Sequence, residues 1–454
     1  MNTSPASAAA SITATSGAWP PTRTAWLTTV MMTIAYVFSY LDRQVINLLA
    51  PAIKKDLALS DVELSLLQGT AFAIPFVLFG LLFGALADRV VRVRIVSFGV
   101  AVWSVMTSLC GTTRSFAPLF AFRAGVGVGE AVLNPAAVSL ISDQLAPTKR
   151  PRALAFYNMG TTIGAALGYI LIGQLMPKEN VDMPFFGNVA PWQATFLVLG
   201  APGLLYAIAV LFLREPARRG LMATAGTMPR GAGYGAALRF LWVRRAVFVP
   251  LIIGLGLLGL LAYGPASQTT LFFTRTYGWS VPEIARFNGM LIIVSAIPGA
   301  LFGGYFATRL RQQRSDGTLR AIVYASIGLI LPITLLWLAP SPELAWLGQA
   351  LMNFGIAASI NLASAVLADV TPNELRGKVI ALNAMVITLI GLGVGPSLIA
   401  MITQYVLHDE MLLRYSLVIY SAIFAPLAAL TLYSALPAYG RVVEESASWT
   451  GTAQ

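Results

Sequence analysis

The sequence predicts an all-α polytopic membrane protein, with twelve transmembrane helices arranged as two six-helix bundles. Three observations carry this. Hydrophobic residues make up 57% of the 454 positions, and the mean hydropathy is +0.74. Charged residues make up only 11%, whereas soluble chains carry about 25%, so a water-exposed surface could not be covered. Apolar runs recur from Trp26 to Pro437, each of roughly 20 residues and so able to cross about 30 Å of hydrocarbon.

Residues 1–24 begin with an uncharged Ser-, Ala- and Thr-rich stretch and are expected to be a disordered cytoplasmic tail. The first bundle, 25–213, holds spans 1–6 at about 25–52, 63–87, 93–112, 116–142, 152–176 and 191–213. A basic, Gly-rich linker occupies 214–246, and Tyr234 to Arg245 within it reads as an amphipathic helix on the inner surface. The second bundle, 247–436, holds spans 7–12 at about 247–273, 284–308, 319–339, 342–368, 378–406 and 412–436, and 437–454 is a second cytoplasmic tail. With the N-terminus inside, 21 Lys and Arg fall on the cytoplasmic side and seven outside, while Arg43 and Arg123 lie within spans. Basic residues are retained inside, so both termini are expected to be cytoplasmic, in a bacterial inner membrane. The net charge of +11 is then a matter of topology and anionic lipid rather than of nucleic-acid binding.

The halves echo each other. "GALADRVVRVR" (Gly84 to Arg94) joins spans 2 and 3, and "GYFATRLRQQR" (Gly304 to Arg314) joins spans 8 and 9. "PTKRPRALAFYN" and "PNELRGKVIALN" likewise place Pro and Asn eleven apart. Matched six-helix halves are the build of many secondary transporters, with substrate bound between them near mid-membrane. A lone cysteine, Cys110, and a lone histidine, His408, exclude an intrachain disulfide and a His/Cys metal site. No nucleophile–base constellation supports a membrane-embedded lipid enzyme. The six-plus-six repeat argues against a passive channel.

Gly84, Asp88, Arg89, Arg92 and Arg94 resemble the loop 2–3 signature of the major facilitator superfamily, with Val91 in place of its second Gly and Val93 in place of a basic residue. Within that superfamily, "YLDRQVINLLAPAIKKDLALSDVELSLLQGTAFAI" and "RAGVGVGEAVLNPAAVSLISD" resemble the spinster family. The resemblance implies a monomeric carrier, without a cofactor, for lysophospholipids or sphingosine-1-phosphate. Export of drugs or small organic anions is the alternative. The resemblance also implies that spans 1 and 4 line the cavity. It further implies that Asp88 caps span 11 and forms a cytoplasmic gate with Gly84, Arg89, Arg92 and Asp143, the last within reach of Arg92.

Four ionisable residues stand out in the interiors of spans, away from their ends, and all are in the first half: Asp42, Arg43, Arg123 and Glu130. Each costs about 2.5–3.5 kcal/mol on insertion scales, and spans 7 and 10 carry only polar groups such as Gln268, Asn353 and Asn361. The asymmetry favours function over packing. From a rise of about 1.5 Å per residue, Asp42 and Arg123 lie at similar depth and are expected to pair in at least one state. Glu130, two turns past Arg123 and without a cation beside it in sequence, is the better proton carrier, with Asp42 as the second. Protonation would release Arg43 or Arg123 for an anionic headgroup, because a guanidinium makes two hydrogen bonds to phosphate. A static ion pair that fixes packing is the alternative. Tyr157, Asn158, Asn383 and Tyr263 are further candidates for the cavity wall, and Phe272 and Phe287 for contact with a lipid tail or the bilayer. Gly160, Gly164 and Gly168 in span 5, and Gly391, Gly393, Gly395 and Pro396 in span 11, predict close helix approach and bending.

Overall fold

The computed structural model describes residues 19–87, 89–218 and 234–446. Among these, twelve helices are long and apolar enough to cross a membrane. Helices 1–6 are Thr22–Leu48, Asp61–Gly84, Arg92–Cys110, Phe116–Gln144, Arg150–Leu175 and Pro191–Leu211. Helices 7–12 are Arg245–Tyr277, Val281–Gln313, Gly317–Leu338, Pro342–Asp369, Asn373–Leu407 and Glu410–Ser446. Below, the near end of the molecule is the one where the described chain starts and stops, and the far end is the opposite one.

The repeat visible in the loops is a repeat of packing. In the first half helix 1 packs on 5, 3 on 6 and 4, and 2 on 4; in the second, 7 packs on 11, 9 on 12 and 10, and 8 on 10. Small residues set these distances. A Cβ on Gly164 would stand 2.6 Å from the Val37 carbonyl oxygen, so the span 5 glycines bring helix 5 onto the backbone of helix 1.

Several helices are interrupted, each for a local reason. Helix 1 stops at Leu48 and resumes as Ala50–Asp56, because Pro51 lacks an N–H. It therefore ends past the expected residue 52, and Asp42 lies deeper than that end implied. Helix 4 breaks between Glu130 and Leu133; Pro135 cannot donate to the Ala131 carbonyl and its ring crowds it. Helix 10 breaks at the corresponding place, between Ile360 and Ala363, where the Asn361 side chain donates to the Ala357 carbonyl at 2.7 Å. Helix 11 widens to π-helical turns over Thr388–Val394 and Ile402–Leu407, where its glycines predicted bending. Helix 12 runs past the expected end at residue 436 to Ser446. Contacts hold its last turns: Tyr439 is buried and donates to Asp369 at 2.9 Å, and Ser315 donates to Glu444 at 3.1 Å.

Between helices 5 and 6 lies a short hairpin, Val181–Met183 against Gly187–Val189. Trp192 at the start of helix 6 donates to Asp56 at 2.8 Å, which ties this loop to the end of helix 1.

Candidate translocation site and gates

Ser39 and Arg43 stand one turn apart on helix 1 and share a face, and that face meets helix 4 at Glu130. Arg43 Nη2 lies 2.8 Å and Nε 2.9 Å from Glu130 Oε2, and Ser39 Oγ donates to the same oxygen at 2.6 Å. The other carboxylate oxygen, Oε1, is buried without a hydrogen-bond partner. Glu130 is 1% exposed, and the Arg43 side chain keeps 15% of its surface open. The Arg43 guanidinium also sits 4.7 Å from the ring centres of Tyr40 and Phe72 and 4.9 Å from that of Phe76. This is a cation held by one carboxylate and three aromatic faces.

In this conformation the wall charges have other partners. Asp42 does not pair with Arg123 in this conformation; it accepts from Thr107 Oγ1 of helix 3 at 3.0 Å. Depth arithmetic places a residue along a helix but not around it, and Asp42 is rotated about 100° from Arg43, toward helix 3. Nor does Glu130 lack a cation, because Arg43 crosses from helix 1 to reach it. Arg123 is 1% exposed, and its Nε and Nη1 have no hydrogen-bond partner; the Phe72 ring centre is 5.8 Å away. The buried wall thus holds one closed ion pair and two charges that are not joined to each other.

The remaining candidates scatter. Tyr157 is fully buried, stacked on Tyr36 with ring centres 4.6 Å apart, and donates to Asn134 at 3.3 Å. Tyr263 and Asn353 are half-buried, Asn158 and Asn361 are exposed, and Asn383 is buried with its Oδ1 unpartnered. Gln268 does not line open space: it is 3% exposed and faces Gln68 across the seam between the halves at 3.4 Å. Phe272 faces neither a cavity nor the bilayer; it packs edge-on against Trp337 inside the second half, while Phe287 is half exposed.

At the far end the two halves are locked by a four-membered charge ring. Asp61 receives both arms of Arg275 at 2.7 and 2.9 Å and also Lys54 at 2.5 Å. Glu410 receives Lys54 at 2.5 Å and Arg275 at 3.3 Å. Lys54 and Asp61 belong to the first half, Arg275 and Glu410 to the second, so the ring crosses the seam twice. Ser60 fixes Asp61 at the start of helix 2 through a capping box with Glu63. Below the ring the seam continues in polar contacts. The Val62 N–H donates to Gln404 at 3.2 Å, Ser65 to Ser397 at 3.3 Å, Gln68 to the Ser267 carbonyl at 2.9 Å and Thr70 to the Gly393 carbonyl at 2.7 Å. The last acceptor lies in the π-helical part of helix 11, where widened turns leave carbonyls free. In the sequence, Lys54 and Arg275 count only among the seven basic residues expected outside, and no local pattern joins them to Asp61 or Glu410. The "SDVE" cap was a visible signal for a fixed Asp61, but its partner lies 214 positions away.

Gly69 interrupts helix 2 where it meets that π-helical stretch, and a Cβ there would stand 2.2 Å from the Leu392 carbonyl oxygen. Gly69→Ala is therefore expected to hold the far end apart, at a cost of about 1–3 kcal/mol to the closed seam. Cysteine labelling at the far end should rise by about fivefold or more; unchanged labelling would show that the seam is not so tight.

Among the described residues the near end has no such lock. Among these residues, the polar contacts that join the halves belong to the far-end portions of helices 1, 2, 5, 7, 8, 11 and 12, apart from Tyr40 and Tyr263, which hydrogen-bond midway along helices 1 and 7. Each half instead closes its own near end. Arg92, fully buried, holds Asp143, Ser139 at 2.7 Å and Glu215 at 2.7 Å. In the second half Arg311 holds Asp369 at 2.5 and 2.6 Å. Arg92 and Asp143 meet, but both lie in the first half, so their bond does not tie the halves together as expected. Asp88 lies outside the described residues, Arg89 is exposed, and Gly84 has open space where a Cβ would be. Arg92→Ala removes from Asp143 and Glu215 the buried cation they share and is expected to cost the first bundle about 3 kcal/mol. A fall of the thermal unfolding midpoint relative to wild type would be the readout, and an unchanged midpoint would make the network dispensable.

Two repeated bundles, a charged inner wall and a seam locked by charge at the far end define a membrane carrier. The chain belongs to the Major Facilitator Superfamily, whose model matches residues 32–396, and is a transporter. An MFS-type efflux pump of Mycolicibacterium smegmatis is 26% identical over 69% of this chain and 69% of its own length. Protein spinster homolog 3 of Danio rerio is 27% identical over 84% of this chain and 77% of its own length. Two other curated relatives are matched over only 31% and 38% of their lengths. The crystal structure of a bacterial homologue of the human lysosomal transporter spinster superposes with a TM-score of 0.77 at 24% identity, covering 94% of this chain and 98% of that one.

Proposed function

We propose that this protein is a spinster-type, proton-coupled carrier for a lipid-like anion with a phosphate-bearing headgroup. The observation that carries this reading is the Arg43–Glu130 pair. A proton on Glu130 removes the charge that holds Arg43. Arg43 is then free to take an anionic headgroup, and its fork suits phosphate. Arg123, buried with two unpartnered N–H groups, offers a second donor set on the same wall. Asp42 carries a second titratable site beside it. The half-buried Tyr263 and Asn353 supply neutral polar contacts from the opposite half.

The count of basic residues supports placing the near end in the cytoplasm of a bacterial cell. On that orientation the far-end ring is the outer gate, and the conformation is inward-facing. Transport then alternates between this state and one in which the ring opens and the near ends meet, with Asp88 and its loop at the inner gate.

The test is uptake of a labelled lysophospholipid by proteoliposomes, with and without an imposed pH gradient. Wild-type flux should rise with the gradient, and Glu130→Gln flux should not respond to it. A second reading, efflux of drugs or small organic anions, is favoured by the similarity to an efflux pump. Competition of such compounds with lysophospholipid, and flux of them alone, would decide for it.

A further inference from the structure

The linker helix Tyr234–Val243 lies outside the membrane-spanning helices and joins directly to helix 7 at Arg245. One face is used: Ala237 is fully buried, and the helix packs on the near-end part of helix 11 and on helix 7. The opposite face is apolar and uncovered. Leu238 is 55% exposed, Trp242 71% and Val243 70%. Such a face in water would be a liability for a ten-residue helix, and an aromatic–aliphatic face at the end of a spanning helix is the pattern of an interfacial helix.

Among the described residues, that face itself carries two exposed arginines. Arg239 and Arg245 are exposed, and Arg245 stacks over the Trp242 ring at 5.7 Å. Arg244 is offset by Glu445 at 2.8 Å, which leaves Arg239 and Arg245 to set the local potential. Between the linker helix and helix 7 runs an open surface groove of about 470 Å³, lined by Val243, Arg245, Ala246, Val249 and Pro250. It continues into an exposed apolar stripe of helix 7, where Val249 is 46% and Ile253 49% exposed. The geometry points to a binding site for one anionic phospholipid here. Its phosphate lies against Arg245 and Arg239, its acyl chain follows Val249 and Ile253, and the Trp242 ring sits at headgroup level. Because the linker helix is fastened to helices 7 and 11, and Arg244 at its end to Glu445 of helix 12, the lipid anchors the second half to the leaflet. The first half is left to move against it.

The test uses the full chain, delipidated in detergent and titrated with phosphatidylglycerol under native mass spectrometry. Wild type should retain one phosphatidylglycerol per chain. An arginine near an anionic surface is worth about fivefold in affinity, so Arg239→Gln with Arg245→Gln should weaken it about 30-fold, to the level of phosphatidylcholine. Equal retention by wild type and the double variant would overturn the site. Displacement by millimolar inorganic phosphate would assign it to free phosphate and overturn the lipid reading. Helix position is read separately from a spin label at Leu238→Cys in nanodiscs, since the native Cys110 is buried. A label at headgroup depth supports the proposal, and one in bulk water refutes it.

Discussion

Asp61→Asn is expected to open the far end of the carrier. The substitution keeps the shape of the side chain but removes the charge shared by Arg275 and Lys54, which leaves the exposed Glu410 as the ring's only carboxylate. Asp61 is 6% exposed, and the side chains of Arg275 and Lys54 are 10% and 13% exposed. Taking one partner from a buried pair costs about 3–5 kcal/mol. Glu410, 59% exposed, still holds both cations, so a loss of about 2 kcal/mol is the reasonable figure. The Lys54–Asp61 bond lies within the first half and can persist when the halves part, so only the bonds to Arg275 and Glu410 favour this state. A shift of about 30-fold in population follows. Distance measurements between spin labels on the far ends of helices 1 and 7 should show the separated population in Asp61→Asn and its near absence in wild type. Identical distributions would mean that the polar seam below the ring is sufficient by itself.

The second large effect concerns the inner pair. Glu130→Gln leaves Arg43 among three aromatic rings with no counter-charge, and Arg43→Gln leaves Glu130 buried with only Ser39. Each single change should destabilise by about 3 kcal/mol, whereas the double change removes both charges and should recover much of it. Because the double variant should cost less than either single one, the double-mutant cycle is expected to give a coupling of about 3 kcal/mol or more for Arg43 with Glu130. The cycle for Asp42 with Arg123 should give a much smaller one in the far-end-closed state. A large Asp42–Arg123 coupling and none for Arg43–Glu130 would reverse the assignment.

The twelve spans and the two halves were legible because membrane helices must be apolar over a fixed length and must satisfy their own backbones. Their ends were less so. Helix 12 continues through Pro437 because Tyr439 and Glu444 find partners that no local pattern announces. The four wall charges were legible as a set, since ionised residues in apolar helices are rare. Which of them would meet was not. Asp42 and Arg43 are adjacent in sequence, but 100° of rotation sends one to Thr107 and the other to Glu130. The break beside Glu130 had a signal in Pro135, four residues past the carbonyl it abandons. The far-end ring had almost none, because its members come from the ends of four helices and only the fold brings them together.

Proton counting tests the coupling of Arg43 and Glu130 most directly. Lysophospholipid is added to purified protein in unbuffered detergent at neutral pH, and the proton exchanged on binding is read with a soluble pH indicator. If a proton on Glu130 releases Arg43 for the headgroup, wild type should take up about one proton per ligand bound, and Glu130→Gln should bind without uptake. Binding to wild type with no proton uptake, or equal uptake by the variant, would contradict it.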